Sequence, residues 1–147
     1  LQESAQELHD KDLHFSDEAR GEMEVLISAL KDIMDDAFTC FTTDDPDAAR
    51  RIEPLEETVD RLIEEIRVRH IQRLQTGRCT IQLGFVLNDL LTNIERVSDH
   101  CSNIAMCVIE EKYKVVDRHA YLHEVKSEGV FNENVRRDLR KYQLPPE

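Results

Sequence analysis

Glu95 and Asp99 stand four residues apart in a stretch, Thr92 to Ala105, where Ile94, Val97, Cys101, Ile104 and Ala105 recur at three-and-four spacing. That spacing predicts a helix with one buried stripe, and it stacks the two carboxylates on one side. Glu56 and Asp60 repeat the arrangement upstream. Like charges so placed repel by about 0.2–0.5 kcal/mol, so each pair gains from a nearby cation. All-oxygen sites suit Mg²⁺, Ca²⁺ and Mn²⁺, and carboxylates with an occasional imidazole also suit iron. Asn103, four residues beyond Asp99, continues the same side and offers a carbonyl oxygen. His100 points about 100° away from Asp99 and does not converge.

Whether the two acid pairs meet depends on the turn between them. If Gly77 marks a tight turn, the flanking helices form an antiparallel hairpin. Glu56 and Asp99 are then equidistant from the turn, and so are Asp60 and Glu95. Four carboxylates would share one level, repelling unless neutralised by protons, a guanidinium, an ammonium or a metal ion. With 31 acids in 147 residues, chance alone gives about six such i,i+4 pairs, most of them ordinary surface neighbours. Arg61 and Arg96 each adjoin a motif acid, so a second reading stays open: a structural dimerisation or interaction module with paired acids and no metal site. His70, two heptads after Glu56, is expected to pack, cap or pair near Gly77 rather than ligate.

No nucleophile is nominated. The residues three before each histidine are Gln6, Lys11, Arg67, Val97, Val116 and Ala120, never the glutamate that a di-iron carboxylate bundle needs. No Gly-rich phosphate loop, Gly-x-Ser-x-Gly or His-Glu-x-x-His occurs. A non-catalytic domain is expected.

Three principal helices must position these residues. Residues 1–15 read as a polar lead-in. Ser16 caps a first helix whose stripe is Met23, Leu26, Ile27, Leu30, Ile33, Met34, Ala37 and Phe41, ending near Thr42. Asp45 followed by Pro46 starts the second, carried by Ile52, Leu55, Val59, Leu62, Ile63, Ile66 and Ile71 to Leu74. Pro54 implies either a start nearer Glu53 or a kink. Gly77 closes this helix. The third runs from near Thr80 to about Val116, roughly 55 Å. A tail over 117–147 follows, with one short helix over Arg118–Glu128, a separator at Gly129, and another capped by Asn132 and ending near Tyr142. The fold class is therefore all-α: an antiparallel three-helix bundle over 16–116 with a short helical C-terminal tail.

Bulk properties agree. Hydrophobic residues make up 40% and charged residues 34%, with only four glycines and four prolines, a balance that suits helices. A net charge of −12 argues against nucleic acid and anionic lipid as partners and is compatible with cation binding. Cys40, Cys79, Cys101 and Cys107 form no metal-knuckle pattern, and a reducing compartment is expected. No apolar run reaches the ~20 residues of a membrane span. The opening Leu1 suggests a piece of a longer protein.

Glu95-Arg-Val-Ser-Asp-His-Cys-Ser-Asn-Ile-Ala105 resembles the signature helix of PhoU-type domains, typically Glu-Arg-Ile-Gly-Asp-His-x-x-Asn-Ile-Ala. Glu56-Glu-Thr-Val-Asp60 resembles the acidic motif on the preceding helix. His70-Ile-Gln-Arg-Leu-Gln-Thr-Gly-Arg-Cys79 is closer still to the PhoU-like domain that follows the membrane part of bacterial sodium/phosphate cotransporter family proteins. The likeness covers roughly Phe15 to Val116, with a weaker match at Lys141-Tyr-Gln-Leu-Pro145. It implies a bundle whose Glu/Asp-x-x-x-Asp motifs bind a divalent or trivalent ion (iron, zinc, manganese, magnesium or calcium) through Glu56, Asp60, Glu95, Asp99 and Asn103. It also implies a regulatory domain at the cytoplasmic face, attached to the membrane transporter portion of the same chain. Free-standing PhoU proteins contain two such bundles and regulate phosphate uptake and signalling. A single bundle would need a homodimer for the same two-site arrangement, and phosphate-signalling proteins are further possible partners.

Overall fold

A computed structural model of the chain describes residues 6, 8–10, 13–114, 118–127 and 129–146. From Asp17 onward the described residues form α1 Asp17–Thr43, α2 Pro46–Gln75, α3 Ile81–Tyr113, α4 Arg118–Ser127 and α5 Gly129–Lys141. No strand occurs among the described residues. The long helices α1, α2 and α3 pack on one another around a core that includes Leu26, Ile33, Ile52, Val59, Ile63, Ile66, Leu87, Leu91 and Ile109. The expected all-α bundle with a helical tail is what the chain forms.

The helix ends follow local chemistry. Ser16 accepts a hydrogen bond from the Ala19 N–H at 3.3 Å, Asp45 from Asp47 at 2.9 Å, and Thr80 from Leu83 at 3.2 Å. Each satisfies one of the orphan N–H groups of a first turn. At the end of α2, Arg78 N–H donates to the Arg73 carbonyl at 2.8 Å and Gly77 N–H to Leu74 at 3.1 Å. This closure needs a left-handed residue, and Gly77 supplies φ +70°. The turn is as tight as expected, so α2 and α3 run antiparallel. Close contact continues at Gly84, where an added Cβ would lie 2.8 Å from His70 Nε2.

α2 begins at Pro46 with Asp45 as its cap, as expected, and continues through Pro54 rather than starting near Glu53; buried Ile52 and Leu55 flank the proline. Other expectations need correction. Ile27, Met34, Phe41, Ile71 and Ile104, all assigned to buried stripes, are exposed. They lie at stripe edges, while Glu22, Ala29, Cys40, His70, Arg73 and Ser98 take interior positions. α5 starts at Gly129, so this glycine opens the helix and Asn132 lies inside it; buried Phe131 and Val135 set the start. α3 ends at Tyr113, because Lys114, with φ 53°, leaves the helical region. Val116, its expected end, and Glu128, the expected end of α4, lie outside the described residues.

The tail is part of the packing. α5 lies along α2, and α4 packs on α5. Lys141 Nζ reaches Asp32 on α1 at 2.6 Å, and the Tyr142 hydroxyl donates to the same carboxylate. Arg69 on α2 donates to the Pro145 carbonyl at 2.6 Å. Inside the bundle, Arg73 grips Glu22 with two parallel bonds of 2.8 and 2.7 Å, the two residues being 4% and 1% exposed. A fork-to-fork pair fixes α1 against α2 at one rotation, since a slip breaks both bonds together.

Removing Glu22 strands the buried Arg73 guanidinium, and Glu22→Gln is expected to cost about 3–5 kcal/mol in urea unfolding; Arg73→Met should cost less, because Arg69 Nη1 still reaches Glu22 at 3.5 Å. The joint Glu22→Leu/Arg73→Met variant should recover most of the loss; equal or greater damage in the double variant would contradict the assignment.

Candidate functional site

The candidate metal residues fall on the facing sides of α2 and α3. Glu53, Glu56 and Asp60 occupy successive turns of α2, while Glu95, Ser98, Asp99 and Ser102 come from α3. Glu53 is 3% exposed and the Glu56 side chain 13%, so these two acids are largely out of water. Asp60 and Glu95 are half-buried, and Asp99 and Asn103 are exposed. The ridge therefore runs from a dry end at Glu53 to a wet rim at Asp99.

Electrostatics show that the hairpin register brings the motifs within reach of each other. Burial pushes the Glu56 carboxyl up to about 7, reinforced by Asp60, Glu53 and Asp99 and opposed by Lys126. Asp60 is pushed up to about 6, first by burial, then by Asp99, Glu95 and Glu57, again opposed by Lys126. Each α2 acid thus feels acids across the hairpin as well as its own neighbour.

Cations meet the ridge at two places only partly foreseen. Arg67 Nη2 pairs with Glu95 at 2.9 Å. Lys126, from α4, places its ammonium 3.8 Å from a Glu53 oxygen and 3.8 Å from Glu56 Oε2. Arg61 turns to Glu57 at 2.9 Å, so it does not neutralise the motif acid beside it. The Ser102 hydroxyl donates to Glu53. Glu56 Oε2, Asp60 Oδ1 and Ser98 Oγ are buried without a hydrogen-bond partner. Such groups cost about 1–3 kcal/mol each unless a proton, water or ion serves them. Among the described residues, no three His, Cys, Asp or Glu side chains converge into a ready-made metal centre. The ridge offers unsatisfied oxygen, part of it already shared with Arg67 and Lys126.

His70 stands where it was expected, near the turn. Its Nδ1 lies 3.7 Å from Cys79 Sγ, and burial, followed by Arg73, lowers its pKa, favouring the neutral ring. Glu53, Arg67, Ser98, Ser102 and Lys126 were not nominated from sequence. Arg67 lies one heptad after Asp60 on the same face of α2, a usable signal. Glu53 precedes Glu56 by three residues, another same-face spacing. Lys126 had none, because its placement is a tertiary outcome of the tail.

A PhoU domain model matches residues 24–108. The phosphate-specific transport system accessory protein PhoU homolog 1 of Thermotoga maritima is 32% identical over 82 residues, covering 56% of this chain and 35% of that protein. The chain therefore spans only about a third of that relative's length. No solved structure matches. Among the described residues no helix is long and apolar enough to cross a membrane.

The raised carboxyls fix a pH dependence. A folded-state pKa above the unfolded one gives stability that is full below the ordinary carboxylate range and is lost as pH rises through about 6 and 7. In metal-free buffer, thermal stability should fall between pH 5 and pH 8. Glu56→Gln should flatten that slope and gain about 1–2 kcal/mol at pH 8. Scanning calorimetry across this range checks both; a slope unchanged by the substitution would contradict the assignment.

Proposed function

The chain belongs to the PhoU domain family, and from that premise we propose that it is a non-catalytic regulatory domain of phosphate transport with a metal site on its α2–α3 ridge. Its relative's role in phosphate-specific transport supports the first half. The second half rests chiefly on the two buried carboxylate oxygens, Glu56 Oε2 and Asp60 Oδ1, that lack any hydrogen-bond partner. Lys126 supports it further, since an ammonium already occupies the cation position beside Glu56.

Glu56, Asp60, Glu95 and Asp99 would hold the ion, with Asn103 able to add a carbonyl oxygen at the rim. The metal would supply positive charge, replacing the protons that burial otherwise favours on Glu56 and Asp60. Oxygen donors fit manganese, magnesium, calcium and iron, with zinc also accessible to carboxylates. Arg67 holds Glu95 in place at the edge of the ridge. Metal binding would couple to the rest of the domain through these shared acids.

The likeness of residues 70–79 to transporter-linked domains supports a place at the cytoplasmic face, beside the membrane portion of a sodium/phosphate cotransporter-like protein. Its partners there would be that membrane portion, a second copy of the domain, or phosphate-signalling proteins. The alternative, an interaction module without metal, draws on Arg67 and Lys126 as internal neutralisers.

Elemental analysis of protein purified without chelator, followed by Mn²⁺ titration at pH 8, separates the readings. The wild-type chain is expected to bind Mn²⁺, and the Asp60→Ala/Asp99→Ala variant to bind at least about tenfold more weakly, about 1.4 kcal/mol. Helical circular dichroism should be unchanged. Equal metal content and affinity in the two proteins would defeat the site.

A further inference from the structure

The tail helix α4 carries a group that the fold of the three long helices does not require. Leu122 is half-buried against the core, and Lys126 follows it by one helical turn on the same side. The ammonium of Lys126 lies 3.8 Å from oxygens of both Glu53 and Glu56. Glu53 is almost wholly buried, and the Ser102 hydroxyl serves only its other oxygen. Lys126 itself is 41% exposed at the side chain, so leaving the ridge costs it little burial. Among the described residues α4 also packs on α5.

We propose that Lys126 is a built-in competitor for the metal site, so that an ion entering the ridge expels the lysine and releases α4 from the bundle. This rests on the metal reading above. The oxygen that the ion would take, Glu56 Oε2, is the one Lys126 faces. A divalent ion at Glu56 supplies Glu53 with the nearby positive charge that the ammonium now provides. It also repels that ammonium across a few ångströms of poorly solvated space, where charge interactions are screened less than in water. Ion and lysine therefore exclude each other. By linkage, α4 weakens metal binding by the factor by which metal weakens α4 docking. The ridge becomes a switch whose output is the position of α4.

Mn²⁺ titration of the full chain at pH 8 tests this, using wild type, Lys126→Gln and Lys126→Arg, together with amide hydrogen exchange of residues 118–127. Lys126→Gln removes a part-exposed ion pair, so its Mn²⁺ affinity should rise about two- to fivefold, while Lys126→Arg stays near wild type. Saturating Mn²⁺ should speed exchange in α4 of the wild-type chain while amides of α2 and α3 stay as protected as before or become more so. In Lys126→Gln, α4 should exchange about two- to fivefold faster than in the wild-type chain from the start and not respond to the ion. Mn²⁺ binding that leaves α4 exchange unchanged, with equal or weaker affinity in Lys126→Gln, would overturn the switch and leave the metal site standing. Binding in Lys126→Gln alone would support the competition in its strongest form. No binding in any of the three proteins would remove the metal reading and the switch together.

Discussion

The closure of α2 at Gly77 sets the height at which every residue of α2 meets α3. Two backbone bonds, from Arg78 to Arg73 and from Gly77 to Leu74, leave the chain no slack before Thr80 caps the next helix. A longer connection would let α3 slide by a turn, and Glu56 and Asp60 would no longer feel Asp99 and Glu95. Gly84 tightens the same end, because only a missing Cβ lets His70 approach α3 as it does. The acids are brought together from the turn outward, and the apolar contacts of Ile63, Ile66, Leu87, Leu91 and Ile94 in the same core hold the helices against the repulsion among them.

That repulsion is unevenly relieved. At one end Arg67 takes Glu95, and at the other Lys126 stands near Glu53 and Glu56, leaving Asp60 between them with a buried oxygen unserved. Contrast Glu22, which Arg73 meets bond for bond and Arg69 also reaches at 3.5 Å, so that its carboxylate is fully served within the core. One cluster is complete and ties helices together; the other is incomplete and holds protons near neutral pH. A structural ion-pair network resembles the first. The second has capacity left for a ligand of positive charge.

Much of this was legible in the residues, for reasons that differ by position. The caps Ser16, Asp45 and Thr80 and the glycine at 77 act within a few residues of themselves, so local chemistry decides them. The register of Glu56 with Asp99 follows from the turn alone. Burial of Glu22 and Arg73 was not legible, since periodicity sorts residues by polarity and these two are inside only because each finds the other across the bundle. Ile104 fails for the converse reason: it sits at the edge of a stripe whose interior place went to Ser98. The tail was the least readable part, because Gly129 argues locally for a break while Phe131 and Val135 reward extending the helix.

Lys126 shows why such a contact matters beyond the tally of charges. Sequence distance hides it, being some seventy residues from the acids it serves. An acidic chain of net charge −12 has many places where a lysine could rest. It rests beside Glu53 and Glu56, two carboxylates largely withdrawn from water. Two positive groups drawn to the same oxygens for the same reason cannot both be satisfied there.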